Sequence, residues 1–182
     1  EKSMQKSLKR TIKFLEKELN LNLTKEEIKI LDASFALLVD AALEQPKVLV
    51  HRDYHSRNLM CCEYGNPGVL DFQDAVIGPI TYDLVSLLRD CYVSWPIAKV
   101  YSLVLEFKSM QEKALLLSDI TDKQFIKWFD FMGLQRQLKN VGIFTRLNLR
   151  DNKTGYLKDI PRVLLYVKQV LPGYPELDDL RV

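Results

Sequence analysis

An eight-residue polar stretch, His51-Arg52-Asp53-Tyr54-His55-Ser56-Arg57-Asn58, lies between the apolar runs Val48-Leu49-Val50 and Leu59-Met60-Cys61. Turn chemistry follows at Glu63-Tyr64-Gly65-Asn66-Pro67-Gly68, and then a third run, Val69-Leu70-Asp71-Phe72, apolar but for its Asp. Short runs of this kind on either side of turn chemistry read as strands. The pattern therefore predicts a small β unit with 69–72 as the return strand, presenting two polar loops at neighbouring strand ends. Gly78-Pro79 punctuates the loop that follows.

Elsewhere the periodicity is helical. Leu8, Ile12, Leu15 and Leu19 recur at helical spacing among basic residues, predicting an amphipathic helix over 4–19 interrupted at Asn20 to Asn22. Thr24 with Glu27 makes a capping box for a second helix whose apolar face is Ile28, Leu31, Phe35, Leu38 and Ala42, stopped by Gln45-Pro46. Downstream, Leu84, Leu87, Leu88 and Cys91 form a stripe ending near Trp95-Pro96, and a helix follows near 97–117. Thr121 and Gln124 cap another helix. It is apolar on two sides, with Phe125, Trp128, Phe129 and Met132 on one and Phe131, Leu134 and Leu138 on the other, as a central core helix would be. A final helix is expected over Tyr156 to Val170, broken by Leu171-Pro172-Gly173. The fold class is α+β, mainly α, with 1–182 a single lobe.

Composition excludes several functions. A net charge of +2 over 182 residues provides no footprint for nucleic acid. No apolar run approaches the ~20 residues of a membrane span, so no membrane partner is expected. Cys61, Cys62 and Cys91 cannot pair completely and have no zinc spacing, which favours a reducing, cytoplasmic setting. The chain opens at Glu1 without Met, which suggests an excised piece of a longer protein.

The polar loops name a chemistry. H-R-D-x-x-x-x-N followed at short range by a hydrophobic-flanked Asp is half of a phosphoryl-transfer site. Such a transfer has a loose transition state, so the protein mainly positions groups and neutralises charge. Asp53 would orient the incoming hydroxyl and take its proton. Asn58 and Asp71 would offer hard oxygen donors to Mg²⁺ beside the nucleotide phosphates. His51 is expected to structure the loop, since Asp53 already serves as base. His55 would either brace the loop or approach a phosphate. Asp74 is a second metal-side carboxylate or a solvated turn residue. Asp83 opens a helix, where the macrodipole favours any acid. Gln135 and Arg136 interrupt apolar stripes, either snorkelling outward or reaching a sugar-sized cleft. Arg52, His55, Asp74, Gln135 and Arg136 are the candidate phosphate or substrate contacts.

The residues from Val48 to Pro96 resemble the aminoglycoside phosphotransferase/choline kinase superfamily. The resemblance rests on His51 to Met60, on Gly68-Val69-Leu70-Asp71-Phe72-Gln73-Asp74-Ala75 and on Gly78 to Tyr92. The Tyr54-His55-Ser56-Arg57 filling, the Phe72-Gln73-Asp74 sequel, and Met132 to Lys139 with Gly142-Ile143-Phe144 are similar to the bacterial kinases that phosphorylate N-acetylmuramate and N-acetylglucosamine at C1 in cell-wall recycling. The resemblance implies the C-terminal lobe of a protein-kinase-like fold, with a catalytic loop at 48–60 and a metal-binding loop at 69–75. It implies Asp53 as base, Asn58 and Asp71 as Mg²⁺ ligands, Asp83 as a loop-bracing acid, and ATP as donor.

The chain departs from protein kinases in having His55 where serine/threonine kinases place Lys, no Gly after Asp71-Phe72, and no A-P-E segment. It contains neither a G-x-G-x-x-G loop nor a V-A-I-K strand, so the N-terminal, nucleotide-gripping lobe is expected outside these residues. Two alternatives stay open. An aminoglycoside antibiotic phosphotransferase would need acids around a polycation, where Asp74 and Asp90 are available. A non-catalytic lobe would bind sugar or a partner, or self-associate through a bared apolar surface.

Overall fold

The computed structural model describes residues 2–19 and 22–181, which group into two compact units. One comprises Glu44–Gly133, and the other Glu1–Leu43 with Leu134–Val182. The expected break at Asn20 and Leu21 lies outside the described residues, as do the side chains of Leu15 and Leu19.

The second of these units is helical. It holds α1 (Lys2–Leu19), α2 (Lys25–Leu43), the later part of α5 (Asp122–Asp151) and α6 (Ile160–Val170). The capping box at the start of α2 forms as its spacing requires. Thr24 Oγ1 accepts the Glu27 N–H at 3.2 Å, and Glu27 Oε2 accepts the Thr24 N–H at 2.7 Å. These bonds favour the ionised carboxylate and hold Glu27 below its usual pKa, the backbone bond contributing most. Leu8, Phe35, Leu38, Val39 and Leu177 are buried. Gly142 is required where α5 meets α1, because a Cβ there would lie 2.6 Å from the Thr11 Cα. The final segment begins as a 3₁₀ helix at Thr154–Asp159 and becomes α-helical only at Ile160, later than expected.

The unit Glu44–Gly133 carries the strands. β1 (Lys47–Val50) pairs antiparallel with β4 (Val76–Pro79), and β2 (Leu59–Met60) pairs antiparallel with β3 (Gly68–Val69). Two expectations are corrected here. The return strand stops at Val69 rather than Phe72, because Asp71 adopts the left-handed conformation (φ 64°) and Phe72–Asp74 turns as a 3₁₀ helix. The segment expected as a loop at Gly78-Pro79 is strand β4. Gly78 lies opposite Val48, and a Cβ on it would come within 2.7 Å of Val50 Cγ2. Pro79, without an N–H, stands at the strand end, and the next residue continues the pairing by donating from Ile80 N–H to Pro46 O (3.0 Å).

The same unit holds α3 (Tyr82–Leu88), α4 (Ile97–Lys113) and the first turns of α5. α4 ends at Lys113, short of 117, as Leu115 takes a positive φ of 58°. Val50, Val85, Val104, Phe125 and Phe129 are among the buried apolar side chains. A polar cluster lies within this core. Arg89 Nη2 donates to Asp130 Oδ1 at 2.6 Å, and Tyr101 Oη meets both Asp130 oxygens at 3.0 and 3.1 Å. Gln45 ties the ribbon to the helices, accepting from Thr81 N–H and Oγ1–H and donating to the Trp128 carbonyl.

Candidate active site

Strand β1 delivers the chain into the loop at His51, and the start of α3 catches it. Asp83 Oδ2 accepts the His51 N–H at 2.6 Å, and Asp83 Oδ1 accepts the Arg52 N–H at 3.0 Å. One carboxylate thus satisfies two successive backbone donors while Arg52 holds a left-handed φ of 78°. A non-glycine residue persists there only where its surroundings over-determine it. Asp53, half-buried, follows directly.

The loop then closes on itself. The His55 N–H reaches the Asp53 carbonyl at 3.0 Å, and the Asn58 carboxamide donates its N–H to the same oxygen at 2.9 Å. Donating through Nδ2 leaves the Asn58 amide oxygen as the acceptor end of the side chain. Five residues of separation therefore place a carboxylate and an amide oxygen on one tight turn.

The two ribbons are joined at this point. The Leu70 N–H donates to the Asn58 carbonyl at 2.9 Å, and His51 Nε2 lies 2.7 Å from the Leu70 carbonyl. A carbonyl can only accept, so Nε2 carries the proton. His51 Nδ1 is buried without a hydrogen-bond partner. Asp71 comes next, exposed, with its Oδ1 accepting from Gln73 Nε2 at 2.6 Å.

Arg52 Nη1 is 3.5 Å from the Asp74 carbonyl, and the Asp74 side chain is exposed. The His55 ring meets Tyr92 edge-on at 5.5 Å. Gln135 and Arg136 belong to the other compact unit, where both are buried. Beside β1 and Tyr54 is a cleft of about 460 Å³, whose lining includes Asp83, Leu87 and Phe107.

Two participants are not legible as such in the sequence. Asp90, expected only as an acid for a polycation, is buried; its Oδ2 accepts the Ser56 N–H at 2.9 Å and its Oδ1 the Tyr92 N–H at 2.8 Å. Tyr92 lies under the guanidinium of Arg57, 3.6 Å from its Cζ. In sequence, an acid and an aromatic after an apolar stripe look like any helix end.

The donors present suit a hard divalent cation that retains waters and phosphate oxygens, namely one carboxamide oxygen and one carboxylate on adjoining loops. Among the described residues no group of three or more His, Cys, Asp or Glu side chains could hold a metal. The arrangement can thus orient a hydroxyl against Asp53 and offer two oxygen ligands alongside.

The chain is 46% identical over 167 residues to the N-acetylmuramate/N-acetylglucosamine kinase of Neisseria meningitidis, and 44% identical over 167 residues to that of Pseudomonas putida. Each match covers 92% of this chain, and the chain spans about half the length of the curated relatives it matches (50% and 49%). The crystal structure of the aminoglycoside phosphotransferase APH(2'')-Ib, ADP-bound, superposes with a TM-score of 0.52 over 91% of this chain and 51% of that one. At 17% identity that likeness establishes the protein-kinase-like fold alone. The model of the phosphotransferase enzyme family matches residues 3–112, and the chain belongs to that family.

Proposed function

We propose that this chain is the catalytic-loop lobe of an ATP-dependent kinase that phosphorylates N-acetylmuramate and N-acetylglucosamine at the C1 hydroxyl, in cytoplasmic cell-wall recycling. The observation that carries this reading is the junction of the two ribbons. Hydrogen bonds from Leu70 to Asn58 and from His51 to Leu70 keep the Asp53 loop and the Asp71 loop side by side. The names of the relatives supply the sugar.

In this mechanism Asp53 receives the sugar hydroxyl, orients it in line with the phosphoryl group and accepts its proton late. Asn58 and Asp71 would hold Mg²⁺, which when bound neutralises phosphate charge. Asp83 keeps the Asp53 carboxylate aimed by fixing the two backbone amides before it. His51 fixes the distance between loops. Nucleotide contacts belong to a further lobe outside residues 1–182, so this chain alone should show negligible turnover with ATP, Mg²⁺ and amino sugar. Measurable turnover would sink that expectation. Leu49, Phe72 and Ile77 around the ribbons are 72%, 68% and 68% exposed, and the isolated chain is expected to self-associate through them.

The deciding experiment is Asp53→Asn in the full-length protein. Activity should fall by about 10²-fold or more while the amino sugar still protects against thermal unfolding. An unchanged rate rules out Asp53 as the base. Protection by kanamycin instead of N-acetylmuramate overturns the sugar assignment.

A further inference from the structure

Arg57 is an exposed cation that makes no ion pair or side-chain hydrogen bond among the described residues. It is nevertheless held in place. Its guanidinium stacks on the Tyr92 ring at 3.6 Å, a contact that restricts a long side chain at an exposed site. Both partners of the stack share one anchor. The buried carboxylate of Asp90 binds the N–H of Ser56, adjoining Arg57, and the N–H of Tyr92 itself. Arg57 also rides on the 3₁₀ turn Ser56–Asn58, four residues after Asp53.

A pre-positioned guanidinium with its donors unspent matches one chemistry, a planar or phosphate oxyanion taken by two parallel N–H bonds. We infer that Arg57, presented on Tyr92, recognises a carboxylate on the amino sugar and so favours the acidic sugar over the neutral one. This rests on the amino-sugar reading above. Of the two possible sources of the oxyanion, the sugar is favoured over a nucleotide phosphate. Arg57 lies four residues after Asp53, which meets the sugar hydroxyl, and is held on Tyr92 beyond the end of α3 rather than on the segment that carries Asp71 towards the phosphates. Exposure explains why the neutral sugar is not rejected. A guanidinium left without its carboxylate returns to water and incurs no burial penalty.

The test is calorimetric titration of the full-length wild type and its R57Q variant with N-acetylmuramate, N-acetylglucosamine and ATP. The position is exposed, so R57Q should fold. N-acetylmuramate affinity should fall about three- to tenfold, as expected for a partly solvated charge pair, with N-acetylglucosamine affinity unchanged. Y92L, which removes the platform and keeps the charge, should weaken the acidic sugar in the same selective way. Added salt should erode the preference in wild type. Equal losses for both sugars, no loss for either, or a loss confined to ATP each overturn the inference. Binding of N-acetylglucosamine without preference for N-acetylmuramate overturns only the inference, whereas failure of wild type to bind either sugar overturns the amino-sugar reading with it.

Discussion

His51 Nε2 and the carbonyl oxygen of Leu70 are 2.7 Å apart, and this bond joins the residues leading into the Asp53 and Asp71 loops. Asp53 lies two residues beyond its donor and Asp71 one beyond its acceptor. The loops are therefore coupled through backbone and one imidazole, without any direct bond between the two acids being needed.

Asp83 is the counterpart brace on the other side of His51. Asp83→Ala should cost about 1–3 kcal/mol, because two backbone N–H groups lose their acceptor while Arg52 must still hold its positive φ. Asp83→Asn should recover part of that cost, since the amide offers one acceptor oxygen. Urea unfolding of the three proteins measures both, and equal stability of wild type and Asp83→Ala would contradict the bracing role.

The Arg89–Asp130 pair is 2.6 Å long with both side chains almost fully buried. Asp130→Ala leaves a buried guanidinium without its carboxylate and should destabilise by about 3–5 kcal/mol. Replacing both by apolar residues of similar volume should cost far less, because no charge is then stranded. A double-mutant cycle in urea measures the difference; additive single and double effects would refute the coupling.

Tyr101 is pushed up to about 12 from an ordinary 10.0, by burial first and then by the charge of Asp130. The raised value means the folded state favours the neutral phenol. That contribution is complete below pH 10 and is lost as pH rises through about 12. Tyr101 should ionise late in an absorbance titration. Tyr101→Phe should remove that component and flatten the alkaline loss of stability in the same window.

Glu27 behaves oppositely. Its pKa is lowered from 4.5, so its contribution is present above that value and lost as pH falls through the folded-state pKa. Glu27→Gln should unfold with less acid sensitivity than wild type. Thr24→Ala should remove the effect too, because the lowering arises from bonds to Thr24. A thermal-unfolding series across pH 3 to 6 checks this, and parallel curves for all three proteins would exclude the cap.

Helices with local signals are legible in the residues alone. Thr24 and Glu27 meet as their three-residue spacing implies, and Thr121 Oγ1 accepts the Gln124 N–H at 3.1 Å at the head of α5. The loop turn from Asp53 to Asn58 is legible for the same reason, since its bonds span five residues or fewer. Strand β4 is not, because Gly78-Pro79 has the local chemistry of a turn, and only pairing with β1 makes Gly78 a site of close approach to Val50.

Residue types and short spacings by themselves determined mainly helical structure, a small β unit and the tight turn from Asp53 to Asn58. Only the tertiary structure decided how that loop is held. The Asp83 bonds reach back 32 and 31 residues, the Asp90 bond to Ser56 reaches 34, and His51 and Leu70 are 19 apart. Local propensity cannot encode such pairings. They exist because burying Val50, Val85 and Leu88 in one core brings the ribbon and α3 together, and the carboxylates then satisfy backbone groups left unpaired by the loop.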